Sequence, residues 1–188
     1  MTQGRVTALH HLDEDETAEL CEALGIPAQA VGWPLSEGGS SRALPAVLST
    51  GLPHLVVPLL DRDVLMDIDL GRRAQVAPVC RTHGCDSAAL VAPGSSGVVA
   101  DADGCVRVVD PPELCIEADP ATGSAAGPIA VFLGRLAGAR DATWGVVLEQ
   151  GAELGRPSRL RAEVDFGPDG RPGEVRVAGR VAPLIEGG

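Results

Sequence analysis

The sequence predicts an α+β protein, an antiparallel curved sheet wrapped around a buried central helix. Three observations lead there. Residues 123–137 form a helical run that is apolar on most sides, through Ala125, Ala126, Ile129, Ala130, Val131, Phe132, Leu133 and Leu136. A helix apolar all round is buried all round. Strand candidates follow at residues 144–150, 158–166 and 174–181, and turn-forming residues at 101–104 and 167–173 join neighbouring strands as hairpins.

The elements follow in order along the chain. Residues 14–24 read as a helix: the first turn is acidic, Ala18, Leu20, Cys21 and Leu24 recur with helical spacing, and Gly25 and Pro27 end it. Residues 32–45 are rich in Gly, Ser and Pro and read as loop. Residues 55–60 read as a buried strand. Residues 61–68 and 71–80 read as short helices, the first capped by Asp61. Strands are expected at 87–91, 98–101 and 105–109, the last two forming a hairpin across Asp101-Ala102-Asp103-Gly104. Pro128 sits early enough in the central helix to be tolerated. No linker or internal repeat interrupts residues 1–188, which read as one domain.

Composition narrows the function. With two Phe, two Trp and no Tyr, the core must be aliphatic. A net charge of −11 argues against nucleic acid or an anionic membrane as partner. No apolar run approaches the roughly 20 residues that span a bilayer. Residues 1–5 lack the apolar core of a signal peptide, so the expected location is cytoplasmic. All 15 basic side chains are Arg. This excludes a side-chain Schiff base, including covalent anchoring of pyridoxal phosphate, and the lysine of a P-loop. The odd count of five Cys predicts free thiols. Cys80-Arg81-Thr82-His83-Gly84-Cys85 gathers two thiols and an imidazole, but no second ligand pair follows at metal spacing. The segment therefore reads as a helix-to-strand connection, and no metal is expected.

Glu117-Ala118-Asp119-Pro120-Ala121-Thr122-Gly123-Ser124-Ala125-Ala126-Gly127 concentrates the chemistry. Asp119 and Pro120 read as a helix start. Gly123, Ser124 and Ala125 are small enough for a ligand to approach the backbone, with Gly123 and Ala125 as N–H donors. A helix N-terminus there suits a carboxylate or phosphate, and the same residues read equally as an ordinary capped helix. In an extended chain Glu117 and Asp119 point the same way and could share acid/base work. A solvated Glu117 is the plainer reading. Cys115 reads as a buried structural thiol. His54 is a possible acid/base by its intrinsic chemistry. Arg156 suits either a structural clamp or a substrate carboxylate.

The string from Glu117 to Gly127 resembles the signature of the phenazine-biosynthesis isomerase (PhzF-like) family. Leu48-Ser49-Thr50-Gly51-Leu52-Pro53-His54-Leu55-Val56-Val57-Pro58 resembles a second family segment. Gln150-Gly151 with Gly155-Arg156-Pro157-Ser158 resembles a third, and Val175-Arg176-Val177-Ala178-Gly179-Arg180-Val181 its closing strand. Together they span about residues 17 to 186. The resemblance implies one half of a diaminopimelate-epimerase-like fold, with Asp119 and Ser124 at the positions of the family's active-site aspartate and serine. All matched segments resemble the second half of a two-halved enzyme. The family's catalytic glutamate belongs to the first half and has no counterpart. The Glu16-Thr17 pair resembles its setting only locally, within an acidic helix start. The family's catalytic histidine also belongs to that half, so His54 does not inherit its role.

The expected function is cofactor-independent isomerisation by proton transfer on a small carboxylate-bearing metabolite. Asp119 and Glu117 are the candidate catalytic residues; Gly123, Ser124 and Ala125 are the candidate substrate-binding residues. The missing half would come from a separately encoded first-half subunit. Alternatives are a stand-alone homodimeric isomerase or cyclase of secondary metabolism, built from a second copy of the chain, and a non-catalytic protein that binds small carboxylates.

Overall fold

The computed structural model describes residues 1–35 and 41–180. The element order is β1 (Thr7–His11), α1 (Glu14–Leu24), β2 (Trp33–Pro34), β3 (Arg42–Ala43), β4 (Ala46–Ser49), β5 (Pro53–Pro58), α2 (Arg62–Asp67) and α3 (Arg73–Thr82). It continues with β6 (Ser87–Pro93), β7 (Gly104–Val109), α4 (Gly123–Leu136), β8 (Ala142–Gln150), β9 (Ser158–Phe166) and β10 (Pro172–Gly179). Eight strands form one sheet in the order β1-β4-β5-β6-β7-β8-β9-β10, while β2 and β3 make a separate ribbon.

The central helix lies where the sequence places it. From Ala125 to Gly134 every residue of α4 is buried. The helix packs on inward-facing residues of the curved sheet, among them Leu48, Val56, Val91, Val108, Leu148, Val164 and Val175. Strand alternation explains the outer strands. On β9, Leu160, Ala162, Val164 and Phe166 are buried, while Arg159, Arg161, Glu163 and Asp165 alternate outward.

The sheet departs from a purely antiparallel one at two places: β5 pairs with β6 in parallel, and β7 pairs with β8 in parallel. Parallel neighbours need a crossover, usually a helix. Here α2 and α3 supply the first crossover and α4 the second. The three short helices create a second core on the opposite face of the sheet. Leu20, Leu24, Leu65, Val76 and Val79 pack there against Val47, Leu55, Val57, Leu90 and Ala92. Residues 55–57 and 88–92 are thus apolar without alternation because both faces are covered.

Helix α1 begins with a capping box. The Asp13 side chain accepts from Glu16 N, and the Glu16 side chain accepts from Asp13 N. This confirms the acidic stretch as a helix start. Gly25 ends the helix in the left-handed conformation. Arg72 donates to the carbonyls of Glu22 and Ala23, and Arg107 to those of Leu65 and Ile68. Both place a cation at a helix C-terminus.

Residues 98–101 do not form the expected strand; they bend. The carboxylate of Glu149 accepts from Val99 N at 2.9 Å and from Ser95 Oγ at 3.2 Å, so a side chain takes a hydrogen bond that a ladder would otherwise use. The antiparallel partner of β7 is β6, across a longer loop. Strands β1 and β4 and the β2–β3 ribbon were not expected from the sequence. Residues 36–40 of the predicted loop and Val181 of the last predicted strand lie outside the described residues. Among the described residues no helix is long and apolar enough to cross a membrane.

Candidate active site

Four buried polar residues, Thr50, His54, Thr122 and Gln150, gather around the N-terminal end of α4. The helix starts at Gly123 with Thr122 as N-cap, three residues later than an Asp119 cap would place it. Asp119 is instead the head of a turn leading into the helix. Its Oδ1 accepts from Ala121 N at 3.0 Å and its Oδ2 from Thr122 Oγ1 at 2.7 Å. The reason is local: an Asp side chain readily bonds the backbone two residues on, and here the Thr122 hydroxyl takes its second oxygen.

Gln150, at the end of β8, fixes that turn. The side chain is 2% exposed. Its Oε1 accepts from Thr122 N at 3.0 Å, and its Nε2 donates to Asp119 O at 2.7 Å and Thr122 Oγ1 at 2.9 Å. Gly151 follows at φ 78, and a Cβ there would meet Pro120 Cα at 2.8 Å. The Gln-Gly pair therefore packs on the Asp-Pro pair, which explains why two distant sequence segments serve one site.

Ser124 lies on the first turn of α4, and His54 approaches it from β5. His54 Nε2 is 3.2 Å from Ser124 Oγ. His54 is 2% exposed, and its Nδ1 has no partner among the described residues. Burial pushes its pKa down to about 4, against a smaller upward pull from Asp86. The imidazole is therefore neutral at pH 7 and acts as a hydrogen-bonding group. Ser87, opposite His54 in the β5–β6 ladder, donates to Asp110 Oδ1 at 2.6 Å.

The N-terminal segment closes one side. Gln3 Nε2 donates to Gly123 O at 2.9 Å, and Thr50 Oγ1 donates to Gln3 Oε1 at 2.6 Å. Gly123 itself is open: a Cβ built there meets nothing within 4 Å. Ala125 is fully buried, and its N–H donates to Thr122 O at 3.1 Å, so this expected ligand donor is engaged within the turn.

The other candidates fall elsewhere. Glu117 is exposed and lines a separate surface cleft with Asp69, Gly71 and Arg73; Arg73 donates to Ile116 O. The expectation that Glu117 shares acid/base work with Asp119 finds no geometric support, because residues 115–122 are not an extended strand. Cys115 is exposed, not buried. It takes a left-handed conformation at φ 55 after a 3-10 turn over Pro112–Leu114. Arg156 is exposed, and among the described residues no carboxylate pairs with it. The Cys80–Cys85 segment is the expected helix-to-strand connection, with the Cys85 thiol donating to Cys80 O at 3.3 Å. A cavity of about 520 Å³ lies at the other end of α4 between Trp33, Trp144 and Leu136, away from these polar groups.

Sequence reasoning named Asp119, Ser124 and Gly123 but missed the contributions of Gln3, Thr50 and Gln150, and the His54–Ser124 pair. A polar residue in an otherwise apolar strand, as His54 is in β5, was the available signal.

The phenazine biosynthesis-like protein family model (PhzC-PhzF) matches residues 8–187. The trans-2,3-dihydro-3-hydroxyanthranilate isomerase of Pseudomonas aeruginosa is 42% identical over 78 residues, 40% of this chain and 27% of that protein. An uncharacterized isomerase of Mesorhizobium japonicum is 29% identical over 180 residues, 93% of this chain and 59% of that protein. The crystal structure of a PhzF-family phenazine biosynthesis protein from Bacillus anthracis superposes with a TM-score of 0.70 at 16% identity. That alignment covers 97% of this chain and 60% of the other, and at this identity it shows the fold alone. A predicted epimerase from Pseudomonas aeruginosa gives a TM-score of 0.59 at 29% identity, covering 99% and 58%. The chain thus spans about three fifths of the length of the relatives it matches over most of its own sequence. With a family model matched from residue 8 to residue 187, the chain belongs to the phenazine biosynthesis-like protein family.

Proposed function

We propose that this chain is one half of a PhzF-like isomerase that acts by proton transfer between carbons of a small carboxylate-bearing metabolite. A separately encoded first-half subunit supplies the general acid/base. The observation that carries this reading is the meeting of Ser124 and His54 beside the open backbone of Gly123 at the start of α4. A helix N-terminus receives a carboxylate, Ser124 donates a hydrogen bond to it, and neutral His54 holds the hydroxyl. Asp119 forms the adjacent wall, oriented by Ala121, Thr122 and Gln150.

Two features favour a partner over a self-sufficient site. Both oxygens of the Asp119 carboxylate are engaged in holding its turn, and burial lowers the pKa of His54 to about 4, far below the near-neutral value that suits a proton shuttle. Exposed apolar side chains also flank the site in sequence: Leu52 two residues before His54, Ile116 three before Asp119, and Leu154 four after Gln150. Docking the first half would cover them.

The test is affinity capture of the chain from its host with mass spectrometry. A stoichiometric partner of similar size supports the proposal when the reconstituted pair exchanges a substrate carbon-bound hydrogen with D2O and the Ser124→Ala pair does not. Turnover by the purified chain alone, as a homodimer, overturns it.

A further inference from the structure

We propose a second site, unrelated to the α4 cluster, that binds a zinc-type divalent cation through His10, His83 and Glu16. The residues come from three elements: His10 from β1, Glu16 from the first turn of α1, and His83 from the C-cap of α3. Their ligating atoms all lie within 4.8 Å of one another. His10 Nε2 and His83 Nδ1 face each other at 2.8 Å, with ring centroids 4.9 Å apart.

The donor set is that of a borderline divalent cation. Two neutral imidazoles and one carboxylate make a three-ligand site with an open position for water, as zinc accepts. Two imidazole nitrogens at 2.8 Å can hold at most one proton between them, and a cation would take the place of that proton. Bonds of about 2.0–2.1 Å at a tetrahedral angle set the two nitrogens about 3.3 Å apart, so the rings need part by only about half an ångström. Glu16 can keep its cap, because Oε2 accepts from Asp13 N at 2.9 Å and a carboxylate has a second oxygen for a metal, which would draw the Glu16 side chain in from within 4.8 Å of the imidazoles. His83 sits at the C-terminal end of α3, whose carbonyls favour positive charge. The thiols of Cys80 and Cys85, the more obvious ligands in the sequence, are not in this group; the imidazole between them is. Bound metal would tie β1 to α1 and α3.

The test is titration of the full chain with Zn2+ and with Co2+, in a Cys115→Ser background that removes the exposed thiol. The expected result is one ion per chain, visible Co2+ ligand-field bands, and a zinc-dependent rise in Tm. His10→Ala and Glu16→Gln should each weaken binding by more than the roughly 10–100-fold that loss of an outer-shell partner costs. Gln preserves the capping box, so the Glu16→Gln effect separates metal ligation from helix capping. His11→Ala is the control, since adjacent strand residues point to opposite faces. No stoichiometric binding, or equal affinity in the His10→Ala chain, or equal losses in the His11→Ala chain, overturns the site.

Discussion

His54 and Ser124 are 70 residues apart in sequence, and in the fold His54 Nε2 lies 3.2 Å from Ser124 Oγ, across the junction between β5 and the start of α4. The pair joins two of the family-like segments into one site and places a buried imidazole where water cannot easily reach it.

That burial has a signature in stability. The pKa of His54 falls from 6.5 to about 4 on folding. A base with a depressed folded pKa contributes stability that is present above 6.5 and lost as pH falls toward 4, because the unfolded chain takes up the proton first. The full difference corresponds to about 3 kcal/mol. Urea denaturation at pH 7 and pH 4 should show the wild type losing up to that much more than His54→Gln. Equal pH dependence in the two chains would contradict the burial argument.

Asp119→Asn separates architecture from chemistry. The amide keeps an acceptor for one of the two donors, Ala121 N or Thr122 Oγ1, so the turn should survive at a cost of about 1 kcal/mol. The negative charge in the turn ahead of α4 is lost. Activity of the reconstituted isomerase is expected to fall far more than stability does. A loss of activity matched by unfolding would reduce Asp119 to a turn residue.

Gln150→Leu should be more damaging to the fold. Its amide serves Thr122 N, Thr122 Oγ1 and Asp119 O from a fully buried position. Leucine fills the volume but orphans Thr122 N and Asp119 O, each costing about 1–3 kcal/mol where water cannot replace the bond, while Thr122 Oγ1 keeps its bond to Asp119 Oδ2. Guanidinium titration is expected to show a loss of at least about 2 kcal/mol.

Much of this was legible from the sequence. The all-round apolar run of α4, the acidic first turn and Gly25 stop of α1, and the strand β9 are local patterns that local physics reads correctly. The placement of Asp119 was not, because one-dimensional capping rules cannot tell an N-cap from a turn residue three positions upstream. Gln3 and Thr50 were missed for a different reason. Their role exists only because the first residues run beside β10, with Gln3 N donating to Val175 O, and such a long-range bond leaves no local pattern. The same holds for His10 and Glu16, which reach His83 only through the packing of α1 and α3 beside β1.

Two glycines of α4 make opposite predictions. At Gly134 an added Cβ would lie 2.5 Å from Phe166 Cε2 and 2.7 Å from Cζ. The Phe166 ring is 4% exposed and held in the core, so Gly134→Ala overpacks and should cost about 1–3 kcal/mol while leaving the site intact. At Gly127 an added Cβ would lie 1.8 Å from Gln3 Oε1 and 2.8 Å from Thr50 Oγ1. The first obstacle is the end of a flexible side chain, which swings away, and the helix gains about 1 kcal/mol from replacing Gly by Ala. Gly127→Ala should therefore change global stability little. It should instead break the Thr50–Gln3–Gly123 chain of hydrogen bonds and release the first residues from the site. Hydrogen exchange reads this directly: the Gly4 amide, which donates to Thr50 O, should lose protection in Gly127→Ala and keep it in Gly134→Ala. Equal protection in both variants would mean that Gln3 does not hold the N-terminal segment against α4.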